Sequence, residues 1–161
     1  MSFNVLLLCS GNSARSILGE MLFNSLAAGR IKAYSAGSKP GGQVNPLALE
    51  TLANHGVPCE GARSKSWDEL AGPSAPVFDF IFTVCGNAAA EACPVWPGHP
   101  ATAHWGIADP APVEPMEARR EAFEQAYQSL KQRIEAFLAL PLESMSRSDV
   151  LLAAQRIHTG A

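Results

Sequence analysis

Basic residues are missing from a long central stretch: no Lys or Arg stands between Ser66 and Ala118. Seven acids do, namely Asp68, Glu69, Asp79, Glu91, Asp109, Glu114 and Glu117. Such a stretch reads either as a solvated acidic face or as an acidic docking surface for a protein partner. Net charge is −3, so neither nucleic acid nor an anionic membrane is an expected partner. No apolar run is long enough to span a bilayer. The opening residues show no basic n-region and no small-residue cleavage site, so a cytoplasmic protein is expected. Cysteine is scarce: Cys9, Cys59, Cys85 and Cys93. In a reducing compartment such thiols are more often nucleophilic or redox-active than static crosslinks. What remains is ordinary for a globular chain, with 161 residues, 47% apolar and 17% charged, enough for one domain around one core.

The apolar run from Asn4 to Cys9 ends in Ser10-Gly11-Asn12, which predicts a buried strand entering a turn. Ile17, Leu18, Met21, Leu22 and Leu26 follow at helical spacing, with a stop near Gly29. Strand, glycine turn and helix in that order open a βαβ unit. Residues 33–36 read as a second strand. Asn45-Pro46 caps and starts a helix that carries Leu47, Leu49 and Leu52 and ends at Gly56. Residues 57–59 are expected to form a short strand, residues 66–70 a capped helical turn, and residues 77–84 a third main strand ending at Cys85. Residues 86–115 are expected to be mostly loop, with a short strand near residues 101–105. Residues 116–140 hold the best helical period, with Phe123, Tyr127, Leu130, Ile134 and Phe137 on one face. A last amphipathic helix is expected over residues 148–158. Its apolar face of Val150, Leu151, Ala154 and Ile157 could cover the chain's own surface or a second copy. Alternating strands and helices imply a parallel sheet covered on both faces, with ligands bound beyond the carboxyl ends of its strands. Cys9 and Cys85 both fall at such ends.

The loop Cys9-Ser10-Gly11-Asn12-Ser13-Ala14-Arg15-Ser16 is the strongest chemical signal. Gly11 and Asn12 tolerate unusual backbone angles, so successive amides can turn inward as an anion-binding nest. The following helix N-terminus adds amides and positive potential, and Arg15 adds a planar fork for a tetrahedral oxyanion. A cysteine in that field is stabilised as thiolate, and Ser16 can donate to its sulfur. No Gly-Lys-Ser/Thr ending is present, which excludes a nucleotide-binding Walker loop.

From Leu8 to Ser16 the chain resembles the active-site loop shared by low-molecular-weight tyrosine phosphatases and the arsenate reductases related to them. Tyr34-Ser35-Ala36-Gly37, Asn45-Pro46 and Asp109-Pro110 extend the resemblance over residues 4–140. It implies an α/β fold, a three-layer αβα arrangement around a four-stranded parallel sheet. Residues 1–140 would form the phosphatase-like domain and residues 141–161 a C-terminal helical extension.

Three features resemble the thioredoxin-linked reductases more than the phosphatases: Cys85 with Cys93, His104-Trp105-Gly106, and Asp109-Pro110-Ala111. That resemblance implies arsenate as substrate, with phosphate or sulfate as analogues, and thioredoxin or a similar dithiol as reductant. It implies Cys9 as nucleophile, residues 10–16 as the oxyanion cradle, Asp109 as proton donor, and Cys85 and Cys93 as a disulfide relay. A phosphatase that hydrolyses a Cys9 phosphoenzyme is the alternative. Were residues 85–93 helical, the two cysteines would stand ~12 Å apart, whereas a disulfide needs Cα atoms within about 7 Å. The segment is therefore expected to change shape between reduced and oxidised protein.

Other readings stay open. Cys85 and Cys93 could be small core residues, or could join His99 and His104 around zinc at a spacing unusual for such sites. Cys59 is expected to be structural. Asp109 could serve only to form a turn before Pro110, and His104 and Trp105 are expected to support the acid loop by packing. Some reductases hold potassium near the loop with Asn, Glu and a distant Asp. Asn12 and Glu20 match, but the distant segment reads Ser64-Lys65-Ser66, so neither a metal nor a cofactor is expected. Lys65 could supply positive charge instead.

Overall fold

The computed structural model describes residues 3–70, 75–84 and 101–159. Four parallel strands form the sheet: β1 (Phe3–Leu8), β2 (Ile31–Ala36), β3 (Phe80–Thr83) and β4 (Ala101–His104), in the order β2-β1-β3-β4. Val5, Leu6, Leu7 and Leu8 are all buried, so the central strand is covered on both faces, as its unbroken apolar run predicts. Edge strand β4 alternates in burial instead.

Four helices occur among the described residues: α1 (Arg15–Leu26), α2 (Pro46–Asn54), α3 (Met116–Leu138) and α4 (Arg147–Thr159). Asn45 caps α2 as predicted, its Oδ1 accepting from the Leu47 amide at 2.9 Å with Pro46 next. The predicted apolar face of α3 is the buried one: Phe123, Tyr127, Leu130, Ile134 and Phe137. Phe82, Trp105 and Phe137 form the aromatic centre of the core, with Phe82 and Trp105 stacked 3.9 Å apart. The helix α4 covers the chain's own surface, burying Val150 and Ala154 and accepting the Trp105 indole N–H on the Ala154 carbonyl at 2.9 Å.

Two expectations are corrected. Residues 57–59 form no strand; the Val57 amide instead bonds back to Leu52 O at 2.9 Å, closing the end of α2. The third strand starts at Phe80, not at residue 77, where Val77 is exposed and a bend precedes the ladder. Residues 67–70 are the expected helical turn, a 3-10 turn capped by Ser66 Oγ.

The chain runs from β1 outward to β2 and then returns to the other side of β1 as β3. Such a reversal opens a crevice at the carboxyl ends of the two strands. The residue that follows β1 is Cys9.

Candidate active site

Residues 9–16 pass from β1 into α1. Three of their carbonyls are held from outside the loop. Ser10 O accepts from Lys39 N at 2.9 Å, Gly11 O from Gly41 N at 3.1 Å, and Ser13 O from Asn45 N at 2.8 Å. Among the described residues, nothing accepts from the amides of Gly11 through Arg15. Ala14 precedes the helix without a side-chain cap, so the first turn of α1 keeps its unpaired amides as well. Amides without protein acceptors at a helix N-terminus are what an anion requires.

Asn12, not Gly11, takes the left-handed conformation, with φ of 46°. It is fully buried, and both its side-chain N–H groups and its side-chain oxygen are bonded. Nδ2 donates to Ser16 Oγ at 2.9 Å and to Ser35 Oγ at 3.0 Å, and Oδ1 accepts from the Lys65 amide at 2.8 Å. Asparagine is among the few non-glycine residues that visit this region routinely. Gly37 lies against the back of the loop. A Cβ there would stand 2.4 Å from Ser10 O and 2.5 Å from Cys9 O.

Cys9, Gly11, Ser13, Ala14, Arg15, Asp109 and Ala111 line a cavity of about 90 Å3. That is far below the roughly 300–1,000 Å3 of pockets for drug-sized ligands and suits a small ion. The sulfur-bearing residue is 6% exposed. Arg15 Nη1 donates to Ile107 O at 3.0 Å, and its Nη2 lies 3.4 Å from Asp109 Oδ2. Asp109 also accepts from the Ala111 amide on Oδ1 at 3.0 Å, so it forms the expected turn while facing the cavity.

The loop that carries Asp109 is fixed from below. Trp105 and Ile107 donate amides to Thr83 O and Val84 O at 2.7 and 3.1 Å, and Arg133 Nη1 donates to the carbonyls of Trp105 and Gly106 at 2.9 and 3.2 Å. Burial pushes the Arg133 guanidinium below its ordinary value. His104 is exposed, and its Nδ1 bonds Thr83 Oγ1 at 2.8 Å. Arg133 and the Ile107 carbonyl carry no periodic or motif signal in the sequence, and Ser35 stands in the Tyr34-Ser35-Ala36-Gly37 motif with no role assigned to it.

Cys85, Cys93 and His99 lie outside the described residues. Val84, which precedes Cys85 in the sequence, donates its amide at 2.9 Å to Leu8 O, one residue before Cys9. Of the acids in the Arg- and Lys-free stretch, Glu69, Asp79, Asp109 and Glu114 pair with Arg63, Arg147, Arg15 and Arg119 respectively. No described helix is long and apolar enough to cross a membrane.

Comparison with known proteins agrees with this geometry. The family model of low molecular weight phosphotyrosine protein phosphatase matches residues 4–150, running past Leu140 into the last helix. An arsenate reductase of Bacillus subtilis (strain 168) is 35% identical over 118 residues, 73% of this chain and 81% of that protein. The crystal structure of an arsenate reductase from Archaeoglobus fulgidus DSM 4304 superposes with a TM-score of 0.60 at 30% identity, covering 81% of this chain and 98% of that one. A tyrosine phosphatase of Erwinia amylovora superposes with a TM-score of 0.63 at 27% identity, covering 84% and 90%. The chain belongs to the low molecular weight phosphotyrosine protein phosphatase family, alongside the arsenate reductases within it.

Proposed function

We propose that the protein reduces arsenate to arsenite, with Cys9 as nucleophile and Cys85 and Cys93 as a relay to an external dithiol such as thioredoxin. The observation that carries the reading is the convergence of Cys9, Arg15 and Asp109 on one ion-sized cavity, beside loop amides that have no acceptor among the described residues. A tetrahedral oxyanion seated there meets amides from the loop and the guanidinium fork of Arg15. The Cys9 thiolate attacks arsenic, and an oxygen leaves as water with a proton from Asp109. Ser16 accepts from Asn12 and keeps its own hydroxyl proton, which suits donation to the sulfur.

The adduct holds arsenic in its oxidised state, so reduction needs two electrons from thiols. The Cys85 thiolate attacks the Cys9 sulfur, forming a Cys9–Cys85 disulfide. The electrons of the broken sulfur–arsenic bond stay with arsenic, which leaves as arsenite. Cys93 then attacks Cys85, frees Cys9 and leaves a Cys85–Cys93 disulfide for an external dithiol to reduce. The strand ends leading into Cys9 and Cys85 are neighbours through the Val84–Leu8 bond, which favours the first exchange. A reducing compartment supplies the reductant. The cradle holds phosphate or sulfate by the same contacts.

A phosphatase of this family needs only the loop cysteine and the acid; water resolves its Cys9 adduct. Arsenate-dependent NADPH consumption with thioredoxin and its reductase separates the two. Cys85→Ser and Cys93→Ser should each abolish multiple turnovers while leaving any hydrolysis of a small aryl phosphate intact. Normal arsenate turnover by both variants would refute the relay. Strong hydrolysis without arsenate turnover would establish the phosphatase.

A further inference from the structure

A buried ion pair lies beneath the loop and takes no part in the steps above. Lys65 and Glu20 are each 8% exposed, with Lys65 Nζ 3.9 Å from Glu20 Oε1. Glu20 stands on α1, and Lys65 on the segment that bridges to Gly37 through Gly37 N–Lys65 O at 3.0 Å and Trp67 N–Gly37 O at 2.9 Å. The same Glu20 oxygen accepts a hydrogen bond from the Ser35 hydroxyl, and Ser35 Oγ accepts from Asn12 Nδ2. Lys65 Nζ also donates to Arg63 O at 3.2 Å. Glu20 thus anchors the chain of bonds that fixes the one left-handed residue of the loop.

That anchor has an electrostatic consequence. Burial pushes the Glu20 carboxyl up and the Lys65 ammonium down from their ordinary values, and each charge opposes the effect on the other. Arg63, exposed and paired with Glu69, adds only a more distant positive field. A carboxylate left alone under an anion site would repel the anion, and it would be a buried charge without compensation.

We propose that Lys65 is a positioning residue of the oxyanion site: its ammonium cancels the charge of Glu20, so that Glu20 can hold the Ser35–Asn12 clamp without repelling the anion above. The inference rests on the reading of residues 9–16 as an oxyanion cradle, and it deepens that reading. The contact of the Lys65 backbone amide with Asn12 survives any change of its side chain, so substitution tests the charge separately from the clamp.

The test is calorimetric binding of inorganic phosphate to the full-length reduced protein, with thermal melting to confirm folding. Lys65→Met leaves Glu20 unpaired and should weaken binding roughly tenfold, the order expected of one unit charge at an effective dielectric near 20. Glu20→Gln should bind at least as tightly as wild type, a change of opposite sign that a purely structural role would not give. The double variant Lys65→Met/Glu20→Gln has no charge left to balance and should return to within about threefold of wild type, since removing both partners of a buried pair is far milder than removing one. Alkylation of Cys9 by iodoacetamide, followed on its peptide by mass spectrometry, should slow in Lys65→Met and recover in the double variant. Wild-type binding by a folded Lys65→Met protein would overturn the proposal, as would a double variant as weak as the single one. If Lys65→Met does not fold, the other two variants decide, and a tenfold loss in either overturns it. A wild-type protein that binds no phosphate would overturn the cradle itself, and with it this inference.

Discussion

Asn12 is where backbone geometry and side-chain bonding make the same demand, so its replacement has a calculable cost. Asn12→Gly keeps the left-handed backbone but strands the buried Lys65 amide, at about 1–3 kcal/mol. It also removes two donor bonds to Ser16 and Ser35, each contributing roughly 0.5–1.5 kcal/mol. A loss of about 2–6 kcal/mol is therefore expected. Asn12→Ala makes the same losses and adds left-handed strain of about 1–2 kcal/mol. The alanine's smaller unfolded-state entropy offsets about 0.4–1 kcal/mol of that. Alanine should thus be the worse of the two by roughly 0.5–1 kcal/mol. Urea unfolding under reducing conditions, followed by far-ultraviolet circular dichroism, measures both. With an unchanged slope, the midpoint should fall by on the order of 1 M or more. An alanine variant that loses under about 1 kcal/mol, or that is more stable than the glycine variant, would refute the argument.

Gly37→Ala should displace the loop, because its methyl meets the Cys9 and Ser10 carbonyls; a loss of about 1–3 kcal/mol and weaker phosphate binding are expected by unfolding and calorimetry. Arg15→Lys removes the planar fork while keeping its charge and should lower kcat/KM for arsenate by roughly 10- to 100-fold, the size of a lost charge-assisted bond. Trp105→Phe should loosen α4 by removing the bond to Ala154 O, costing about 1–2 kcal/mol with the lost packing, and should raise hydrogen exchange in that helix. His158 is held below its ordinary value of 6.5 by burial, then by Arg133 and His104. Its folded form binds its proton less readily than the unfolded form. Its contribution is therefore complete above pH 6.5 and is lost as pH falls through the lowered value. His158→Gln should flatten the fall of the unfolding midpoint over that acid range.

The sequence was most legible where one local signal decided the outcome. The apolar run of β1, the Asn45-Pro46 start of α2 and the period of α3 all lie where they were expected. So does the meeting of Cys9, Arg15 and Asp109, which resemblance implied and the cavity brings together. Residues 57–59 misled because a short apolar group can close a helix as readily as start a strand. The clamp on Asn12 was not legible, because its partner amide is 53 positions away and no pattern marks a backbone donor for a side chain. Arg133 likewise reaches 28 positions back to the Trp105 carbonyl. The destination of α4 needed the buried indole N–H of Trp105 to find a carbonyl, which amphipathicity alone does not specify.

Attack on an oxyanion in this cavity requires an ionised sulfur at position 9. The pH dependence of Cys9 alkylation, read on its own peptide, measures that directly. A midpoint within about 3.5–7.5 is expected, so that the thiolate dominates at neutral pH, with protection by added arsenate or phosphate. A midpoint near the unperturbed value of about 8.5, unaffected by either anion, would contradict it.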